Sequence, residues 1–203
     1  MTVRRREFIT GATTVGGTVL AGCAGLNEPE MEFQNFVVPD PNVVSVNEED
    51  REYFVTIQNS RGSGQIRVEL WYFQDSNVPD PSAASIYLEN SREGRQFDLD
   101  RSFYFNSEER REESIIGSEN APEQSEFPEY ALMVWPASHG AVFENTGESG
   151  EVEFRFEYRD TAGYDPVEPA DKLEAVGSDS TIEVVFETVV PPRSEYEILA
   201  EPV

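Results

Sequence analysis

Apolar and polar residues alternate strictly in two stretches of the chain. Ile66, Val68, Leu70 and Tyr72 are interleaved with Arg67, Glu69 and Trp71, and Val152, Phe154, Phe156 and Tyr158 with Glu153, Arg155 and Glu157. Successive side chains of a strand point to opposite faces, so a period of two predicts a half-buried β-strand in each stretch. The two stretches belong to an internal repeat, in which Asn59 to Tyr72 aligns without a gap on Asn145 to Tyr158. Each copy opens on an Asn- and Gly-bearing turn, and each turn follows another apolar run, Tyr53 to Ile57 or Ala141 to Phe143. Strand, turn and strand in that order predict a hairpin in each copy.

A second, looser correspondence matches Ser102 to Arg110 with Glu187 to Glu195, each read as strand, polar turn and strand. No long stretch carries helical spacing, and short strands between turns predict an all-β fold. The repeat divides the chain into two tandem antiparallel β-sandwich domains, residues 31–117 and 130–203. Between them, 118–129 is rich in Glu, Ser and Pro without periodicity and reads as a linker. One larger sandwich is the alternative. The Asn145-Thr146-Gly147 turn and the Pro191-Pro192-Arg193-Ser194-Glu195 run resemble turns of immunoglobulin-like, adhesion-type domains of exported archaeal and bacterial proteins. The resemblance implies an immunoglobulin-like architecture, without the cysteine pair of antibody domains.

Ahead of the sandwiches stands a segment of another kind. Arg5 and Arg6, followed by Glu7, Phe8 and Ile9, resemble the twin-arginine pattern read by the export machinery for folded proteins. The apolar middle, Ile9 to Ala21, is diluted by glycines and threonines, and as a helix it would reach only roughly 20 Å, short of a hydrocarbon core of about 30 Å. It ends in Leu20-Ala21-Gly22-Cys23, which resembles the lipobox of lipoproteins, where cleavage before the cysteine leaves a thiolate to take up lipid. Residues 1–22 are thus expected to be a signal peptide and 23–30 a lipidated tether. Cys23 is the only cysteine, so the exported part is expected to lack a disulfide.

Charge sharpens the setting. The chain carries 40 Asp and Glu against 15 Lys and Arg, a formal net charge of -25, and Lys172 is its only lysine. A lysine-poor, carboxylate-rich surface resembles proteins of salt-loving archaea, where self-repulsion is screened within ~3 Å at molar salt. Aromatic content of 11% argues against disorder, since it supplies the bulk for cores. Nucleic acid is excluded as a partner, because no basic stripe lies outside the signal.

Candidate chemistry is sparse. A blue-copper site needs two His and a free Cys, and this chain has one His. Asp98, Asp100, Ser102 and Glu109 fall in the register of an EF-hand, yet Phe103 stands where the loop needs glycine, and the alternation around it reads as a strand. The acidic runs Asn47 to Asp50 and Asp160 to Asp171 read as solvated surface. Ser138 and His139, adjacent in sequence, would point apart and do not make a triad. Where the second copy carries Glu157 and Arg159, the first has Trp71 and Phe73, an aromatic pair that implies a cover from its own domain or a protein partner.

These readings give a lipid-anchored cell-surface protein on the outer side of the membrane, a non-enzymatic binding or spacing module that uses no metal or cofactor. An accessory subunit of a membrane transporter or envelope enzyme, docking through Trp71 and Phe73, is the alternative, and a small hydrolase a more remote one.

Overall fold

The computed structural model describes residues 28–74, 94–159, 170–188, 190 and 195–203. These form β1 (Met31–Val37), β2 (Pro41–Glu49), β3 (Glu52–Asn59), β4 (Gly64–Phe73), β5 (Arg95–Phe105), β6 (Arg110–Ile116), β7 (Glu129–Pro136), β8 (His139–Asn145), β9 (Gly150–Arg159), β10 (Ala170–Val176), β11 (Ser180–Phe186) and β12 (Glu195–Pro202). All pairings are antiparallel, in four three-stranded sheets ordered β2-β3-β6, β5-β4-β7, β1-β8-β11 and β10-β9-β12. The protein is all-β, built of two immunoglobulin-like sandwiches.

The alternation in β4 is realised. Ile66, Val68, Leu70 and Tyr72 are buried against Tyr53, Val55 and Ile57 of β3, with Phe105, Ile115, Leu132 and Val134 closing the core of the first sandwich. In the second, Val152, Phe154 and Phe156 of β9 pack on Ala141 and Phe143 of β8, with Val184, Phe186 and Ile198 around them. The side chain of Tyr158 lies outside the described residues. Each fully buried Phe or Leu contributes roughly 1.5–3 kcal/mol of hydrophobic stabilisation.

The turn between the alternating copies is not a hairpin. β3 and β4 belong to different sheets, as do β8 and β9, so each Asn-bearing turn carries the chain across the sandwich. Both flanking strands are apolar because each is the centre of its sheet. The hairpin of the first sandwich lies instead between β2 and β3, where Glu49 pairs with Glu52 across Asp50 and Arg51. Both turn residues have positive φ, 52° and 67°, as a tight two-residue hairpin loop requires.

The division of the chain also differs from the sequence expectation. β1, within the stretch 31–117, pairs with β8 of the second sandwich; β7, within the stretch 130–203, pairs with β4 of the first. The first sandwich is therefore continuous from β2 to β7, and it is inserted into the second between β1 and β8. Residues 118–129 do not link the two sandwiches. They carry the chain from β6 to β7 within the first, with Ala121 and Phe127 packed against its core. Two adjacent apolar strands of opposite allegiance, β7 and β8, look like one unit in sequence, because only the long-range ladder separates them.

β1 and β2 are equivalent strands standing in series. Met31 pairs with Asn145 and Pro41 with Asn59; both ladders then slip, between Phe33 and Asn35 in one and between Val43 and Ser45 in the other. Pro29 packs on Gly150 as Pro39 packs on Gly64. The sandwiches thus share one plan, with both first strands placed at the start of the chain.

Candidate functional site

Two buried asparagines organise the equivalent ends of the sandwiches. Asn59 Nδ2 donates to the carbonyls of Gly62 (2.7 Å) and Asn106 (2.9 Å), while its Oδ1 accepts from the Asp40 amide (2.8 Å). Asn145 Nδ2 donates to the carbonyls of Glu148 and Gly177, both at 2.8 Å, and its Oδ1 accepts from the Glu30 amide (2.9 Å) and the Gly147 amide (3.0 Å). Each side chain ties three segments: the entry to the first strand, the crossing turn, and the turn between the edge strands, β5 to β6 or β10 to β11. Those last turns correspond, with Glu108 and Asp179 both at positive φ (61° and 49°). The counterpart of the turn after Phe105 is therefore the one after Val176, and not Glu187 to Glu195 as the sequence comparison suggests.

A single cation bridges the same edge joint in each sandwich, from opposite sides. In the first, Arg111 of β6 donates to the Tyr104 carbonyl of β5 (2.7 Å) and lies over the Phe105 ring. In the second, Lys172 of β10 donates to the Val185 carbonyl of β11 and lies over the Phe186 ring. The lone lysine of the chain has this structural use. Its ammonium reaches a carbonyl on the facing sheet that no short acidic side chain could satisfy.

The junction between the sandwiches is a second built feature. Two connectors cross it, 38–40 from β1 to β2 and Ala137-Ser138 from β7 to β8. Both rest on the start of β4: the Ala137 amide donates to the Gln65 carbonyl (2.8 Å), and the Gln65 amide donates to Ser138 Oγ (2.9 Å). Gly64 leaves room for the two at once, since a Cβ there would meet Ser138 Oγ at 2.1 Å and the Pro39 ring at 2.9 Å. His139 is buried below, with Nδ1 3.0 Å from the Thr188 carbonyl and its ring edge-on to Tyr196 at 4.7 Å. Burial lowers its pKa to about 4 and raises that of Tyr196 to about 12, so both are neutral near pH 7. Ser138 and His139 serve separate backbone contacts and do not address one another.

The other sequence candidates are dispersed. Asp98, Asp100 and Ser102 lie within β5: Asp98 accepts from the Ser118 amide and Asp100 pairs with Arg67 (3.2 Å). Glu109 accepts from the Asn106 amide (2.7 Å), whose bond holds its carboxyl below the ordinary range. Asn47, Glu48 and Glu49 are strand residues of β2, not a loop. Asp160 and the run up to 169 lie outside the described residues. Among the described residues, no three His, Cys, Asp or Glu gather as a metal-holding group.

Trp71 and Phe73 do not form a free apolar face. Phe73 is 4% exposed and clusters with Ala131, Met133 and Trp135 on the outer side of sheet β5-β4-β7. Trp71 is half-buried, edge-on to Phe97, with Nε1 donating to Glu69 (3.0 Å). Glu69 is itself 2% exposed and paired with Arg67 (2.9 Å). A large apolar residue already withdrawn from water offers little further stabilisation to a partner.

No protein-family model matches the chain. No curated protein matches it either. Among solved structures, it is similar to the native conformation of E. coli alpha-2-macroglobulin at 10% identity and a TM-score of 0.26. That match covers 83% of this chain and spans 16% of the length of the other. Likeness at this level carries no argument about activity.

The candidates of the leader, Arg5, Arg6, Phe8, Leu20, Ala21, Gly22 and Cys23, lie outside the described residues. Among the described residues, the fold already includes Glu28 and Glu30. The Glu28 carbonyl accepts from the Glu148 amide (3.2 Å) and the Glu30 carbonyl from the Thr146 amide (2.9 Å). The segment expected as tether through residue 30 is therefore part of the second sandwich from Glu28 onward.

Proposed function

We propose that the protein is a lipid-anchored cell-surface protein of a salt-loving archaeon, exported through the twin-arginine route. Its two immunoglobulin-like sandwiches act outside the membrane as a non-enzymatic binding or spacing module. The observation that carries this reading is the run Leu20-Ala21-Gly22-Cys23, a lipobox-like motif five residues ahead of Glu28, which among the described residues is already hydrogen-bonded into the second sandwich. A fold stabilised by two apolar cores fits it, since the chain has no second cysteine with which Cys23 could form an internal disulfide.

Mass spectrometry of protein taken from the membrane fraction tests it. The expected product begins at Cys23 and carries lipid on that residue, and Cys23→Ser moves the protein out of the membrane fraction. Membrane-bound protein that retains Met1 and an unmodified Cys23 would overturn the reading.

A further inference from the structure

We infer that the inserted sandwich, β2 to β7, is the membrane-distal one, although it comes first in the sequence, and that the end of it bearing the Asp50–Arg51 turn faces outward. This rests on the proposed lipidation of Cys23. The strand directions fix the order. β1 runs from the Asn145 end of the second sandwich, where Met31 pairs with Asn145, to the junction, where Val37 pairs with Gly140. The carboxyl end of the chain returns to the Asn145 end, with the Val203 amide donating to the Glu151 carbonyl (3.0 Å). Both connectors to the first sandwich leave from the opposite end. They enter that sandwich at its Asn59 end, since Pro41 pairs with Asn59 and Pro136 with Ile66. Its far end is then the β2–β3 turn, the exit of β6 at Ile116 and the entry of β7 at Glu129.

Chain reach keeps the anchor at one end. From Cys23 to Glu28 the backbone spans at most about 18 Å, and Glu28 is already bonded at the Asn145 end. β1, seven residues long, runs roughly 23 Å from that end to the junction, and β2, nine residues long, runs about 30 Å from the junction to the Asp50 turn. An anchor at Cys23 therefore holds the Asn145 end close to the lipid and places the inserted sandwich past the junction, with the Asp50 turn at the end of it remote from that junction.

The test uses the full chain, coupled through the Cys23 thiol to a maleimide lipid in phosphatidylglycerol vesicles that carry an acceptor dye. A donor dye is placed on a non-cysteine bioorthogonal residue at exposed Ser149, beside Asn145, or at exposed Glu119, at the far end. The expected result is several-fold stronger transfer from position 149 than from 119. Equal or reversed transfer would overturn the order. Because the lipid is attached chemically, this outcome is independent of the native modification of Cys23, which the mass of the membrane-derived protein reports separately.

Discussion

Asn145 Nδ2 donates to the Gly177 carbonyl at 2.8 Å, tying the turn between the sheets to the turn between two edge strands. Asn145 has no exposed surface, and its side chain holds three separate backbone segments together. Replacing it with Ala takes the side-chain partner from the carbonyls of Glu148 and Gly177 and from the amides of Glu30 and Gly147. At about 0.5–1.5 kcal/mol net for each of these hydrogen bonds, Asn145→Ala is expected to destabilise the second sandwich by roughly 2–4 kcal/mol. Asn59→Ala should do the same to the first. Denaturant melts in molar salt check both, and a change below about 0.5 kcal/mol would contradict the role.

Nested topology predicts which pieces fold alone. A chain of residues 39–138 retains every strand of the first sandwich and should unfold cooperatively. Residues 139–203 lack β1, which covers one edge of β8 and supplies Phe33 and Phe36 to the core, and should not. Joining Val37 to His139 through a short Asn-Gly turn should restore the second sandwich, because Val37 and Gly140 are already paired. Circular dichroism and amide-proton dispersion decide the matter. Folding of 139–203 by itself would count against the assignment of β1.

Gly64 is expected to tolerate no side chain. Its added Cβ would lie 2.1 Å from Ser138 Oγ, well inside contact distance. Gly64→Ala should cost about 1–3 kcal/mol. Adding Ser138→Gly should recover part of that loss, giving a positive coupling in a double-mutant cycle. Additive effects would show that the junction yields in some other way.

His139 makes stability depend on pH in a definable window. The unfolded side chain protonates near pH 6.5, whereas burial holds the native one neutral down to about 4. Between those values the unfolded state binds more protons, so the contribution is complete above about pH 6.5 and is lost as pH falls toward 4. From pH 7 to pH 5 the wild type should lose about 2 kcal/mol more than His139→Gln, whose amide can still donate to the Thr188 carbonyl. Tyr196 and Phe156, the rings around His139, stay uncharged throughout that range. Parallel pH profiles of the two proteins would refute the assignment.

How much of this the sequence discloses depends on whether a feature is local. The inward set of β4 is legible because period two is a property of neighbouring residues, and every member is buried. β7 is not legible in that way: Leu132 and Met133 are adjacent and both wholly buried, on opposite faces, so no period survives. β10 hides for the converse reason, with Leu173 58% exposed on an edge. The asparagines stand out in the repeat, but their partners are backbone carbonyls, which any residue supplies; Asn106 and Gly177 share no side chain that could reveal their equivalence. Insertion of one sandwich into the other left only the matched Pro29-Glu30 and Pro39-Asp40 pairs as a trace.

The placement of β1 has a mechanical consequence. Tension applied between Glu28 and the inserted sandwich runs along the covalent backbone of a single, already extended strand, from Met31 to Val37 and through the three-residue connector to Pro41. The single ladder from β1 to β8 need not shear for that load to pass, and the core around Phe154 and Phe156 lies beside the line of force, not in it. The second sandwich behaves as a rail to which a taut cord is laced along one side: it stiffens the strand while bearing little of the pull.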